Sequence, residues 1–239
     1  MIPLKDDIPV DRWPVLTIGI IAVNVLAFLW QVSVGLNYSV CAGGVIPADL
    51  LAIQDLGRAA GPLPCASVAP IVPWPLTVIT SMFLHGGWGH IAFNMLFLWV
   101  FGNNVEDALG PVRFVAFYLA CGVAAALSQS FLSAATGGVG IPMVGASGAI
   151  AGVLAAYMKL FPRARILTLV PIVIIFRLMY IPANFFIGLW FALQLFYAVA
   201  VGGAGSGVAF VAHVGGFVCG FLLVRVFAAR RTSYGGRAS

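Results

Sequence analysis

From Val15 to Phe227 the chain is a series of long apolar runs in which acids and bases almost never fall. A folded protein in water still exposes a large share of its surface. With 62% hydrophobic and 8% charged residues, this chain has too little polar surface to show to water. The runs instead suit a bilayer, whose hydrocarbon core takes about 17–25 apolar residues per helix. Six spans are predicted: Val15–Val34, Gly89–Asn103, Phe114–Ala134, Gly145–Phe161, Phe185–Val201 and Gly207–Phe227. The second and fourth are short, which a helix tolerates when protein rather than lipid surrounds it. A further strip, Ile166–Ile175, is too short to span, is broken by Pro171, and is expected at the interface. The expected fold class is all-α, a polytopic membrane protein with a six-transmembrane-helix bundle.

Charge sets the orientation. With the N-terminus cytoplasmic, eleven of the twelve Lys and Arg residues lie inside or near that face and only Arg58 lies outside. The reverse orientation would violate the positive-inside rule almost everywhere. Both termini are therefore expected in the cytoplasm. The net charge of +5 is too scattered for nucleic acid. Residues 1–14 read as a polar cytoplasmic segment without the features of a signal peptide, residues 15–227 as one membrane domain, and residues 228–239 as a disordered basic tail. The loop at 35–88 is expected outside, with short interfacial helices in Ser67–Leu84 and anchors at Trp74 and Trp88. Cys41 and Cys65 share that loop; they can bridge in an oxidising compartment or stay free, and the sequence leaves both open. Cys121 and Cys219 fall in spans as small packing residues.

All seven acids lie outside the predicted spans. That removes an intramembrane aspartyl protease, an H-E-x-x-H metalloprotease and a carboxylate proton relay. What remains is His85, His90, His213, several amides and hydroxyls, and many glycines. Spans two, four and six all enter from the outer side. His90 and Asn94, Ser147, and His213 (about two turns into span six, roughly 9 Å down at the helical rise) then share one level. Singly, each has a plainer use, because membrane serines, histidines and glycines commonly serve helix contacts. Their convergence is what points to a site. The small-residue pairs Gly148/Gly152 and Gly216/Gly220 let two backbones approach closely. A serine hydroxyl needs an adjacent base, and His213 is the natural one. No acid is at hand to orient it, so the unit is a dyad rather than a triad. Ser147 sits where a loop becomes a helix, leaving its N–H unpaired. His90 and Asn94, four apart, share a face and can donate to the same oxyanion.

These residues carry a resemblance. His85-Gly-Gly-Trp-Gly-His90-Ile-Ala-Phe-Asn94, Gly145-Ala-Ser147-Gly148, Ala212-His213-Val-Gly-Gly216-Phe-Val-Cys-Gly220 and Gly102-Asn-Asn-Val-Glu106-Asp together resemble the rhomboid family of intramembrane serine proteases, in order and over nearly the whole chain. The resemblance implies a six-span rhomboid-like bundle of prokaryotic type, in a bacterial or archaeal plasma membrane. It implies Ser147 as nucleophile, His213 as general base and acid, Asn94, His90 and the Ser147 N–H as the oxyanion hole, and Gly145 as the residue shaping the loop, with Gly148, Gly216 and Gly220 supporting. The implied partners are transmembrane protein substrates within the lipid bilayer, with no metal or other cofactor. Residues 135–144 would cap the cavity and the fifth span would be the lateral gate. Two departures stand out. Leu76-Thr77 replaces a Trp-Arg pair of some members, and Ala151 replaces an aromatic residue that packs on the histidine. Orientation of His213 is then expected from Phe210 or Phe217. Two other readings are a rhomboid-like pseudoenzyme that binds transmembrane helices and a metal-binding channel using the three histidines. The latter lacks the acids that usually support metal-bound histidines.

Overall fold

The computed structural model describes residues 1–53, 65–172, 174–200 and 209–228. The expected tail, 228–239, lies almost entirely outside the described residues. The chain runs β1 (Ile2–Asp6), α1 (Val15–Val34), α2 (Leu36–Gly43), α3 (Pro47–Leu50), α4 (Trp74–Thr80), α5 (Trp88–Leu109), α6 (Pro111–Thr136), α7 (Ser147–Leu160), β2 (Arg165–Ile172), β3 (Ile175–Pro182), α8 (Ala183–Ala200) and α9 (Phe210–Phe227). Four of these helices, α1, α6, α8 and α9, are long and apolar enough to cross a membrane. Large apolar side chains such as Leu26, Phe196, Leu222 and Val226 face outward from them, as a lipid solvent requires and water would not permit.

The core is built around α7. Its residues Gly148 to Tyr157 are buried without a break, so the helix is apolar all round, as an enclosed helix must be. At fourteen residues it is only about 21 Å long, and α5, α6 and α9 surround it. Close approach comes from glycine. A Cβ on Gly216 would collide with the Gly148 carbonyl, and one on Gly220 with the Gly152 backbone.

The all-α expectation needs correcting. The strip Ile166–Ile175 is not a lone interfacial segment: most of it is β2, the centre of an antiparallel sheet ordered β1-β2-β3. Ile166 pairs with Ile181 and Leu169 with both Ile2 and Leu178. The run Arg165-Ile-Leu-Thr-Leu-Val is rich in strand-forming residues. Pro171 is tolerated because β1 reaches only as far as Leu169, leaving that end of β2 an edge.

Acids tie this end together. Glu106, placed outside a span by hydropathy, lies inside α5 and is buried. Its carboxylate accepts hydrogen bonds from the Leu16 N–H at 3.0 Å, the Thr17 N–H at 2.7 Å and the Thr17 hydroxyl at 2.7 Å. It thereby caps the unpaired N–H groups that open α1. Asp6 accepts from the Tyr157 hydroxyl at 2.5 Å and from the Asn104 amide, fixing β1 to α7 and α5. Burial pushes the Asp6 carboxyl up to about 6, against the opposing pull of its Tyr157 partner.

At the other end, short helices occupy part of Ser67–Leu84 as expected, and Cys41 and Cys65 form a disulfide. Cys121 is a free, buried thiol and Cys219 a free, half-buried one.

Candidate active site

Helices α5, α7 and α9 all begin at the end of the bundle opposite the sheet, and their first turns surround one cavity of about 720 Å³. His90, Asn94, Ser147 and His213 all line it. The contact at its centre is between the Ser147 hydroxyl and His213 Nε2, 2.7 Å apart. Ser147 is the first residue of α7 and His213 stands in the first turn of α9. The expected span start at Gly207 lies outside the described residues, and the described helix begins at Phe210. The close contacts of Gly148 with Gly216 and of Gly152 with Gly220, which start at the residue after Ser147 and about one turn after His213, are what allow this side-chain pair to meet.

Gly145 accounts for the approach to the serine. Its φ of +130° lies where L-residues are strained. A Cβ there would stand 2.8 Å from His90 Cε1 and 2.9 Å from His90 Nε2. The Gly145 N–H donates to the Ser81 carbonyl at 2.8 Å, which fixes the turn. Ser147 then precedes the first intrahelical bond, from Ile150 N–H to the Ala146 carbonyl, so its own N–H is one of the free donors of a helix start.

His90 accepts the Gly86 N–H on Nδ1 at 3.3 Å. In the neutral ring this puts the remaining proton on Nε2, which with Cε1 forms the ring edge that abuts Gly145. Asn94, one turn along α5, is buried, and its Nδ2 has no hydrogen-bond partner among the described residues. A buried donor left unmet is uncommon and costly, and this one belongs to a residue lining the cavity. The segment before α5 is held by Gln31 of α1, which accepts the His85 N–H at 2.7 Å and donates to the His85 carbonyl at 3.1 Å. Burial takes His85 itself down to about 3, so it is neutral at ordinary pH. Its ring centre lies 5.1 Å from that of His90, edge to face.

The loop at 135–144 borders the cavity through Ile141 to Met143. It is tied to the outer loop by a two-way bridge between Val45 and Met143, 2.8 and 3.0 Å, and by Ala48 N–H to the Val139 carbonyl at 2.9 Å.

The surroundings of His213 differ from expectation. Phe210 meets the ring edge-on at 6.5 Å between centres. Phe217 does not meet it, stacking instead on Phe191 at 4.1 Å. The close partners come from α8: the Trp190 ring lies 5.8 Å away, and Gln194 Oε1 is 2.7 Å from His213 Nδ1. Gln194 and Gln129, whose Oε1 accepts the Ala212 N–H at 3.3 Å, also line the cavity. Neither amide was singled out from sequence. The available signal was the cost of an amide within an apolar span, and Gln194 is the one amide between Phe185 and Ala200.

Comparison with known proteins agrees with these motifs. A family model described as "Rhomboid domain" matches residues 74–230. The chain is 38% identical over 96 residues to "Rhomboid protein 1, mitochondrial" of Saccharomyces cerevisiae, covering 40% of this chain and 28% of that protein. It is 39% identical over 89 residues to "Presenilin-associated rhomboid-like protein, mitochondrial" of Homo sapiens, covering 37% and 23%. It is 40% identical over 81 residues to "Rhomboid protease GluP" of Bacillus subtilis, covering 34% and 15%. In each case the match spans less than a third of the relative's length, and the relatives include both mitochondrial and bacterial proteins.

Proposed function

The chain belongs to the rhomboid family, and from that membership we propose that it is an intramembrane serine endopeptidase acting through Ser147 and His213. The observation that carries this reading is the 2.7 Å contact between the Ser147 hydroxyl and His213 Nε2 inside the cavity. His213 Nε2 takes the hydroxyl proton as Ser147 Oγ bonds to the scissile carbonyl carbon, and the carbonyl oxygen becomes an oxyanion. Asn94 Nδ2, His90 Nε2–H and the Ser147 N–H donate to that oxyanion. His213 then passes its proton to the departing amine nitrogen, leaving an acyl-serine that water hydrolyses with His213 as base again. Gly145, Gly148, Gly216 and Gly220 act by letting the chains carrying these groups approach.

The substrates on this reading are transmembrane segments of other proteins. Helices α5 and α7 complete six spans with α1, α6, α8 and α9, and the excess of Lys and Arg puts both termini and the sheet on the cytoplasmic side. The membrane domain is 15–227, between the N-terminal segment 1–14 and the tail 228–239.

The test is cleavage of a single-span reporter in liposomes by wild type and Ser147→Ala, with fluorophosphonate labelling of both. Cleavage and labelling that vanish together in Ser147→Ala are expected. A reporter that binds wild type but is never cut would instead indicate a helix-binding pseudoenzyme.

A further inference from the structure

A histidine base works only in one tautomer: Nε2 bare towards the serine, Nδ1 carrying the proton. In soluble serine proteases an aspartate holds that proton. Among the described residues no aspartate or glutamate lines this cavity, yet Nδ1 is not free. Gln194 Oε1 stands 2.7 Å from it, while Nε2 faces Ser147 at the same distance. An amide oxygen can only accept, so this arrangement puts the proton on Nδ1 and makes Nε2 the acceptor for the serine hydroxyl. The amide turned over would donate to Nδ1 instead, forcing the proton onto Nε2, where it would block the hydroxyl. When His213 becomes the imidazolium, both ring nitrogens donate, and Gln194 Oε1 remains an acceptor for one of them.

The two side chains that α8 brings to the ring are four residues apart, Trp190 and Gln194, and hence on one helix face. Trp190 flanks the ring and Gln194 bonds its far nitrogen. The buried residues of α8 are Ala183, Phe186 and Ile187, at its sheet end. Gln194 lies about 10 Å beyond Ile187 along the axis, so its place is not explained as part of that packing. A neutral amide also suits the medium, since a lone buried carboxylate is far more costly to desolvate than an amide that keeps a hydrogen bond.

We propose that Gln194 is the positioning residue of the site, holding His213 in the tautomer that can deprotonate Ser147, so that the working unit is Ser147–His213–Gln194. The proposal rests on the serine protease reading and deepens it.

The experiment compares wild type, Gln194→Met, Gln194→Glu and Ser147→Ala in liposomes, with kcat and KM measured separately, alongside ¹⁵N imidazole spectra of the ¹⁵N-histidine-labelled proteins. The chain has three histidines, so His213→Ala assigns the His213 signals. Methionine keeps the length and apolar stem of glutamine but cannot hold the Nδ1 proton. Gln194→Met is expected to lower kcat about 10–100-fold, part of what general-base catalysis supplies, with KM unchanged. Gln194→Glu, which keeps an acceptor oxygen, is expected to restore most of it. The spectra should show Nδ1–H and bare Nε2 in wild type, and loss of that preference in Gln194→Met. Unchanged kcat in Gln194→Met would overturn the proposal, as would an equal loss in Gln194→Glu or a tautomer indifferent to residue 194. Wild type that does not cut, or Ser147→Ala that cuts as well, sinks the protease reading instead; the spectra then still decide what Gln194 does to His213.

Discussion

Asn94→Ala separates a catalytic donor from a structural one. Asn94 Nδ2 is buried and meets no acceptor among the described residues. Such an unmet donor costs about 1–3 kcal/mol in the folded state. Truncation to alanine removes that burden and opens a little more of a cavity that already measures about 720 Å³. Stability should therefore hold or rise slightly. On the proposed mechanism the same donor meets the oxyanion in the transition state, and removal of one such donor costs about 2.7–4 kcal/mol, or roughly 100–1,000-fold in kcat. His90 Nε2–H and the Ser147 N–H stay in place, so cleavage should persist at that reduced rate.

The assay is paired: reporter cleavage in liposomes for kcat, and thermal unfolding of the same preparation in detergent. The expected signature is a fall in kcat of two to three orders of magnitude, about, with an unfolding temperature no lower than wild type. If Asn94 instead holds α5 to its neighbours, unfolding temperature and activity would fall together. That outcome would refute the reasoning, and so would an unchanged kcat.

Three further outcomes follow from the frame. Glu106→Ala should destabilise the fold by about 3–5 kcal/mol, since three donors at the start of α1 lose their buried carboxylate together; unfolding by SDS titration reads this, and Glu106→Gln should recover part. Gly216→Ala should force α7 from α9, because its methyl has no room beside the Gly148 carbonyl; fluorophosphonate labelling of Ser147 should drop sharply as the 2.7 Å contact with His213 opens. The folded Asp6 carboxyl, raised to about 6 from its ordinary 3.8, binds a proton that the unfolded chain has already released in that window. Stability should fall as pH rises from about 4 to about 6 and level off above. Asp6→Asn should flatten that slope in thermal unfolding across pH 4–7.

The candidate site was legible in sequence because polar side chains stand out against apolar spans. His90, Asn94, Ser147 and His213 could be placed at one level by counting residues from span ends, and all four line one cavity. Gln194 escaped because it lies in none of the motifs that carry the resemblance, and its partner lies nineteen residues away on another helix. The hairpin escaped for a different reason. Its residues are as apolar as a span but too few to cross, and hydropathy does not distinguish a strand from a helix over so short a run. Glu106 was placed outside because hydropathy drops after Asn103, whereas α5 continues to Leu109 with its polar residues satisfied by α1 and β1. The pairing of Cys41 with Cys65 is a fact of tertiary distance that spacing alone leaves open.

The two ends of the bundle thus use polar groups in opposite ways. At the sheet end, acids are held in place by donors from α1, α5, α7 and β2, and they hold segments together. At the cavity end the polar groups are amides, hydroxyls and imidazoles, with no carboxylate, Lys or Arg among the described lining residues, as a low-dielectric surrounding favours. On the proposed mechanism charge appears there only transiently, as an imidazolium on His213 beside an oxyanion. Each pole then finds a dipole already aimed at it: Gln194 Oε1 for the ring, and Asn94 Nδ2 for the oxygen. Such preorientation acts on the barrier rather than on the folded ground state. Substitutions at Asn94 and Gln194 should therefore change kcat without changing unfolding. Those at Glu106 and Asp6 should change unfolding while the molecules that remain folded cleave at the wild-type rate. A cavity-end amide whose loss lowers stability more than kcat would contradict that division.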